Sequence, residues 1–501
     1  MTITFNGIPL DVRVPGTYVE TDNSQAIQGL LAQPRKALII GQMTSGGVAT
    51  EHVPILISQG PQQGDYQFGP GSVLGLACKA FKLANPYTDL WAVPQNDHGS
   101  GVVAQGTITF AGTATAKGSI NLLIAAEPVI VAVEVGDAAA AVAAAVEAAI
   151  DANVNLPVTA AVAAAVVTVE AKNAGTLGNT ISQAVNYFPG QSTPAGITVT
   201  FDAAYLGTAQ AGSTDPDISV GGVDADTIAN LLDEPYDYWI STYKDKVNVD
   251  AITDELERRS GPLVQVPGFC FWARNGSLSY LQAWTGWTSP GNSEFASGLS
   301  FHLSPEPSWK VAAVYGATCA RYYNPKKPLK ALELKGLLPP TNAGKFDFYE
   351  RNTLLNYGWS TFTVALDGTW VLERAITNYQ ESPAGVDDPS YLDADTLLNL
   401  FDIRYQWRSR MLLRFNRNKI ADDGTTVDAG GGVVTPKMIR NETIGLFGEL
   451  EDAGYVEALS GFKESLLVER NSTDVNRVDV LMAPDITNPL YIIAGKLQFI
   501  L

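Results

Sequence analysis

The sequence predicts a multidomain chain of α/β and α+β class: an α/β core, an inserted β-rich outer domain, and an α+β C-terminal domain flanked by arms. Three observations carry this. Strand, helix and strand follow one another between Ala37 and Val93, and the pattern resumes after Asp217. The stretch between is rich in Ala, Val, Thr and Gly and poor in aromatics. Beyond it a long amphipathic helix leads to strand candidates that run to an apolar C-terminus. At 501 residues the chain exceeds what one hydrophobic core supports. The expected division is an arm over 1–20, a core over 21–98 and 218–360, an insertion over 99–217, a C-terminal domain over 361–489 and a terminal strand over 490–501.

The first twenty residues read as extended, because Pro9 and Pro15 forbid a continuous helix. Ala37 to Ile40 is a buried strand. Ser72 to Ala84 is a helix with Val73, Leu76, Ala77, Ala80 and Leu83 on one face, stopped by Asn85–Pro86, and Thr88 to Val93 is the next strand. In the insertion, Gly106–Phe110, Pro128–Val135, Val166–Glu170 and Gly196–Phe201 read as strands. Asp137 to Ile150 reads as an alanine-rich helix capped by Asp137. The insertion carries almost no Lys or Arg, which suits an exposed outer domain.

After Asp217, helical segments are expected over Ala225–Leu232, Val249–Ser260, Gly276–Trp284, Ser308–Tyr323 and Phe348–Tyr357. Strands are expected over Tyr236–Thr242, Gly268–Ala273 and Leu299–Leu303. LKALELKGLLPP reads as a link. Thr361–Leu366 and Thr369–Thr377 form a hairpin turned by Asp367–Gly368. Ser390 to Lys419 is one long helix and Thr435 to Ala453 another, opened by Pro436. Phe462–Arg470, Arg477–Met482 and Leu490–Leu501 read as strands. A last strand ending on Phe499, Ile500 and Leu501 exposes apolar surface unless its own domain or another copy of the protein covers it.

A formal net charge of −19 argues against binding nucleic acid or an anionic membrane. Three cysteines without CxxC spacing argue against a disulfide framework. No signal peptide is seen, and the most apolar stretch, Ile120 to Val135, is broken by Glu127 and Pro128, so a cytoplasmic product without membrane insertion is expected. The three histidines, His52, His98 and His302, stand apart from one another and show no metal-ligand spacing. IIGQMTSGG follows a strand but lacks the lysine and glycine spacing of phosphate-binding loops, and there is no GxSxG elbow. No catalytic, cofactor or metal residue is therefore assigned. Against the acidic background, Arg404, Arg408, Arg410, Arg414, Arg417 and Lys419 flank the stripe of the long helix. That charge suits an acidic protein partner, or alternatively a solvated or internally salt-bridged face.

Six stretches in matching order resemble one family. They are PGTYVE, PRKALIIGQ, NPYTDLWAVP, LDGTWVLERAITNYQ, DDPSYLDADTLLNLFDIRYQWRSRM and FKESLLVERNSTDVNRVDVLMAPDITNPLYIIAGKLQFIL. Together they resemble the tail sheath proteins of contractile phages, with the Mu-like sheaths nearest. The resemblance runs from about Val14 to Leu501 and is weakest in the insertion. It implies a subtilisin-like core without catalysis, and self-assembly into stacked six-fold rings around a tail tube protein, with baseplate and tail terminator proteins as further partners. It places the product in the virion tail, assembled in the host cytoplasm, where contraction drives the tube through the host envelope. It implies arms that add strands to neighbouring subunits, here Val14, Tyr18 and Val19 at one end and Tyr491, Ile493, Leu497, Phe499 and Leu501 at the other. The arginine-rich helix is then expected to face the tube. A tailocin or secretion-type sheath fits the same pattern. An α/β hydrolase-like enzyme is the reading from another class, disfavoured by the missing motifs.

Overall fold

The computed structural model describes residues 14–17, 19, 30–31, 33–58, 60, 62–284, 292–425 and 432–500. Most of the predicted N-terminal arm, including Tyr18, and the terminal Leu501 lie outside them. It is a mixed α/β structure with several sheets and, among the described residues, eleven α-helices. The chain divides into two compact units. One comprises Arg35–Tyr323 and Leu329–Leu397. The other comprises Met1–Pro34, Asn324–Pro328 and Leu398–Leu501.

The first unit is built on a nine-stranded sheet. Its spatial order is Leu332–Leu334, Trp370–Arg374, Trp359–Val364, Ala296–Phe301, Phe269–Asn275, Tyr238–Ser241, Lys36–Gln42, Asp89–Gln95, Ile55–Ile57. The six inner strands, from Trp359–Val364 to Asp89–Gln95, run parallel. The strands outside them are antiparallel. Lys36–Gln42 is the pivot, with Ala37 opposite Leu90 on one side and Tyr238 on the other. The chain first winds one way from it and then the other, as in doubly wound folds. Inner strands are buried on both faces, hence continuous apolar runs such as ALII and FCFWA.

The helices Val73–Ala84 and Ser308–Tyr322 pack on each other beside this sheet. Ser72 caps the first, accepting from Gly75 N at 3.1 Å. Small residues let the second lie close to the strands: a Cβ on Gly316 would meet Ile240 Cγ1 at 2.7 Å. Trp239, Trp272, Trp359 and Trp370 are fully buried, and each indole N–H donates to a protein oxygen.

Two expectations change here. The Asp367–Gly368 hairpin, expected to open the C-terminal domain, extends this sheet instead, because Trp359–Val364 pairs in parallel with Ala296–Phe301. The supposed link over LKALELKGLLPP contributes the edge strand Leu332–Leu334.

The insertion holds a four-stranded antiparallel sheet (Ile197–Phe201, Val103–Gly112, Val166–Ala174, Val158–Ala163) and a three-stranded one (Glu127–Val133, Gly118–Ile124, Gln183–Val185). The helix Ala139–Ala152 packs on strands of both through Val142, Ala143, Val146 and Ile150. Asp137 does not cap that helix; its carboxylate accepts from Glu134 N at 2.8 Å. The apolar stretch from Ile120 is a hairpin turned at Ala125 and Ala126, both with positive φ.

In the second unit the long helix Ala394–Phe415, which belongs to it from Leu398 onward, packs against Pro436–Asp452 through Ile403, Leu446, Phe447 and Leu450, joined by Tyr455, Val456, Phe462 and Leu466. Phe462 to Ser465 is not strand. Leu459–Ser465 is helical, which lets Phe462 stack on Phe447 at 3.9 Å, and the strand starts at Leu467. Leu467–Arg470 pairs with Val478–Leu481 as an isolated two-stranded sheet. Gln406 holds the N-terminal segment: its Nε2 donates to Leu31 O at 2.7 Å and its Oε1 accepts from Leu31 N at 2.9 Å. Among the described residues, no helix is long and apolar enough to cross a membrane.

A sealed sheet edge and open assembly surfaces

In doubly wound sheets, ligands bind outside the carboxyl ends of the strands, where the winding reverses. In this chain that crevice lies between Lys36–Gln42 and Tyr238–Ser241, and the protein fills it with its own inserted domain. Gln42 Nε2 donates to Asp97 Oδ1 at 2.7 Å and to Ala174 O at 2.6 Å. Asn173 Nδ2 donates to Met43 O at 2.9 Å and to Asp97 Oδ1 at 2.8 Å. Ala174 N donates to Asp97 Oδ2 at 2.8 Å. Burial raises the Asp97 carboxyl, while these donors pull it back. Next along, Lys244 Nζ donates to Thr176 O at 3.2 Å. Burial first, and then the neighbouring Arg274 charge, hold the Lys244 amine down at about 8. Arg274 donates to Lys244 O and stacks over Trp284 at 3.7 Å. Where α/β enzymes present reactive groups, these polar side chains are spent on holding one domain to another. None of them carried a sequence signal: Asp97 and Asn173 belong to no motif and meet only in the fold.

A buried hydroxyl cluster also sits in this unit: Ser297, Tyr315 and Ser360 bond to one another, and Ser297 donates to Ile376 O at 2.5 Å. The hydroxyls satisfy each other inside the core.

The predicted cationic helix proves to be two kinds of residue. Arg410 is only 8% exposed. It pairs with Glu442 at 3.2 Å and Glu449 at 2.6 Å, both on the adjacent helix. Arg414 also reaches Glu442, at 3.3 Å. Arg404 is half-buried with its guanidinium 5.8 Å from the Phe401 ring. On the helix, Arg408 is exposed, and so are Leu412 and Leu413; Arg417 and Lys419, expected on the same helix, are exposed beyond its end at Phe415, Lys419 in the short strand Lys419–Ile420. The outward face is therefore cationic and apolar together, a mixture the charge pattern alone does not convey.

Among the described residues, the C-terminal segment 487–500 joins no strand ladder. Tyr491 is half-buried, while Ile493, Phe499, Leu497 (93% exposed) and Ile500 (100% exposed) stand in solvent. Val14 and Val19 are exposed as well. Leu467 and Leu481 face each other across the short hairpin with their side chains uncovered. A two-stranded sheet leaves both outer edges with unpaired backbone groups.

A sealed ligand edge, an uncovered apolar tail and an open two-stranded sheet are the features of a protein built to join other proteins. Relatives in sequence point the same way. A family model described as the phage tail sheath C-terminal domain matches residues 386–500. The chain is 37% identical over 503 residues to the Mu-like prophage FluMu tail sheath protein of Haemophilus influenzae, covering 100% of both. It is also similar to the sheath tail protein Lin1278 of Listeria innocua, with 12% identity, TM-score 0.49, and 93% of this chain and 95% of that one covered. The helical sheath of the anti-feeding prophage in its contracted state is similar at 11% identity and TM-score 0.49, with 97% and 99% covered. The chain belongs to the phage tail sheath family, of the Mu-like type.

Proposed function

We propose that this subunit polymerises through its arms into stacked six-fold rings around a tail tube, and that contraction of the assembly drives the tube through the host envelope. The observation that carries the reading is the apolar tail, which joins no strand ladder among the described residues and leaves Ile493, Leu497, Phe499 and Ile500 in solvent, in a unit whose hairpin Leu467–Arg470 with Val478–Leu481 has no third strand. Strand addition satisfies both at once: the arm gains main-chain hydrogen bonds, and its side chains leave water. Each such bond contributes about 0.5–1.5 kcal/mol net. Extended arms also allow rings to rotate and slide while the strands stay paired, so stored conformational free energy, not nucleotide hydrolysis, powers the stroke.

The exposed Arg408, Arg417 and Lys419 face the tube in this reading, and baseplate and terminator proteins meet the end rings. The α/β core, subtilisin-like in the family's terms, acts as scaffold and not as enzyme; the sealed carboxyl edge supports that. The test is removal of Leu490–Leu501. The truncated chain is expected to keep the thermal unfolding of the full chain and to form no tubes or ring stacks in negative-stain micrographs. Helical sheath from the truncated chain would refute strand exchange at this end.

A further inference from the structure

Two segments from distant parts of the chain meet at the carboxyl end of the Asp89–Gln95 strand. The loop after Lys36–Gln42 turns at His52, whose φ of 60° is left-handed and whose N–H donates to Pro94 O at 2.9 Å. The segment returning from the insertion folds back on itself: Asp224 N donates to Asp217 O, and Asp217 N to Asp224 Oδ2, each at 2.9 Å. Glu51, His52 and Asp224 thereby bring one donor atom each to within 4.8 Å of one another.

The spacing and the surroundings suit a cation. His52 Nε2 stands 3.6 Å from Glu51 Oε1. That exceeds an N–H···O hydrogen bond. Two ligands on a tetrahedral ion, with bonds of about 2.0–2.2 Å, lie about 3.3–3.6 Å apart. Each donor is already aimed. His52 Nδ1 is 2.7 Å from the Thr227 hydroxyl, which leaves Nε2 facing the carboxylates. Thr227 is buried and is fixed by Gln95 Nε2 at 3.0 Å, and Gln95 in turn by the Tyr243 hydroxyl at 2.6 Å. Asn96 holds both Glu51 oxygens, at 2.9 and 2.6 Å. Asp224 is 7% exposed, yet only its Oδ2 takes a hydrogen bond among the described residues. Its Oδ1 takes no protein hydrogen bond among the described residues and is not shut off from solvent, which leaves it available to a cation. Burial raises this carboxyl above its ordinary value, and His52 and His98 pull it back.

We propose that Glu51, His52 and Asp224 bind a divalent transition-metal cation of the zinc class, with water completing the shell. The mixed imidazole and carboxylate set suits such an ion. The bound cation ties the loop around His52 to the segment on which the chain re-enters the core from the insertion. It thus pins the outer domain at its second junction. Spacing rules pass over the site because Glu51 and His52 are adjacent and their partner Asp224 is supplied by the fold.

The test uses the full chain, treated with chelator and titrated with zinc chloride by calorimetry, with Co²⁺ absorption as a second reading of the coordination shell. One Zn²⁺ per chain is expected. Glu51→Gln and Asp224→Asn, each checked for native circular dichroism, are expected to weaken binding at least about ten-fold. His302→Asn is expected to leave it unchanged. Zinc should raise the thermal unfolding midpoint of the parent chain and not of the two variants. Glu51 is half-buried at the surface, so its variant remains informative if Asp224→Asn fails to fold. Failure of the parent chain to take up zinc would overturn the proposal, as would uptake that survives Glu51→Gln intact.

Discussion

The carboxyl edge of the large sheet and the last strands of the second unit are opposite solutions to the same problem. Both expose backbone and polar groups that must find partners. At the sheet edge the chain supplies them itself: Asp97 takes donors from Gln42, Asn173 and the Ala174 amide. At the C-terminus it does not: among the described residues, segment 487–500 joins no strand ladder, and the hairpin before it has only two strands. The first arrangement makes a rigid body with its insertion locked on. The second leaves apolar side chains in solvent, where another molecule can cover them. In the proposed contracting assembly a subunit needs both, because force passes through rigid bodies while the connections between them must deform.

The sharpest way to break the contrast is to make the open end unable to bury itself. Ile493→Asp with Leu497→Asp places charges on two side chains that are solvent-exposed in the single chain. The unfolding midpoint should not move. If both side chains are buried on assembly, each contributes about 1.5–3 kcal/mol, so polymerisation should fall by two orders of magnitude or more. Sedimentation of assembled sheath reads this, and normal assembly would show that these residues stay in water.

The closed edge should respond in the reverse sense. Asp97→Ala leaves the Ala174 amide without its acceptor and takes one acceptor each from Gln42 and Asn173. A loss of about 1–3 kcal/mol in chemical denaturation is expected, with tube formation retained wherever the chain is folded. Unchanged stability would mean the insertion is held by its other contacts.

The cationic stretch from Arg404 to Lys419 contains the same contrast in miniature. Arg410→Met removes a buried cation from Glu442 and Glu449 and should cost about 1–3 kcal/mol of subunit stability. Arg417→Glu with Lys419→Glu touches exposed groups only. Surface charges contribute about 0–1 kcal/mol each, so stability should hold while association with the tube weakens. Equal effects of both changes on stability would erase the distinction between inward and outward cations.

Much of the local structure was legible because punctuation and periodicity agreed. Ser72 and Asn85 bracket the Val73–Ala84 helix, Asp367–Gly368 turns its hairpin, and Pro436 opens its helix. Failures came where a short apolar run fits two periods. In FKESLLVER, Phe462 and Leu466 are one helical turn apart and pack on Phe447 and its neighbours, and only the residues after them form strand. The Gly118–Ile124 strand was hidden because two alanines, not Asn-Gly, make its turn. Division of labour among the arginines was out of reach, since Glu442 and Glu449 approach Arg410 from another helix. The same holds for Asp97 with Asn173 and for Glu51 with Asp224: such pairs are made by topology, and no spacing rule spans them.

Lys244 offers the finest probe of the sealed edge, through pH. Its amine is held at about 8 in the folded chain against an ordinary 10.5, because burial, and then Arg274, disfavour its charge. Asp215 and Asp245 offset part of this. Below the lower value both folded and unfolded chains carry the proton, so this group adds no pH dependence to stability, although its buried charge is destabilising there. Between the two values the unfolded chain still binds a proton that the folded chain has released. Stability therefore gains a rising component with pH across that window, which levels off above the unfolded value. Lys244→Met removes the titrating group while keeping a side chain of similar length. Plotted against pH, the stability of the variant relative to the parent should be level below about 8 and fall steadily toward about 10 as the parent is relieved of its buried charge. Other groups titrate in both proteins and cancel in the difference. Parallel curves through the window would mean that water reaches the Lys244 amine and that the edge is open there.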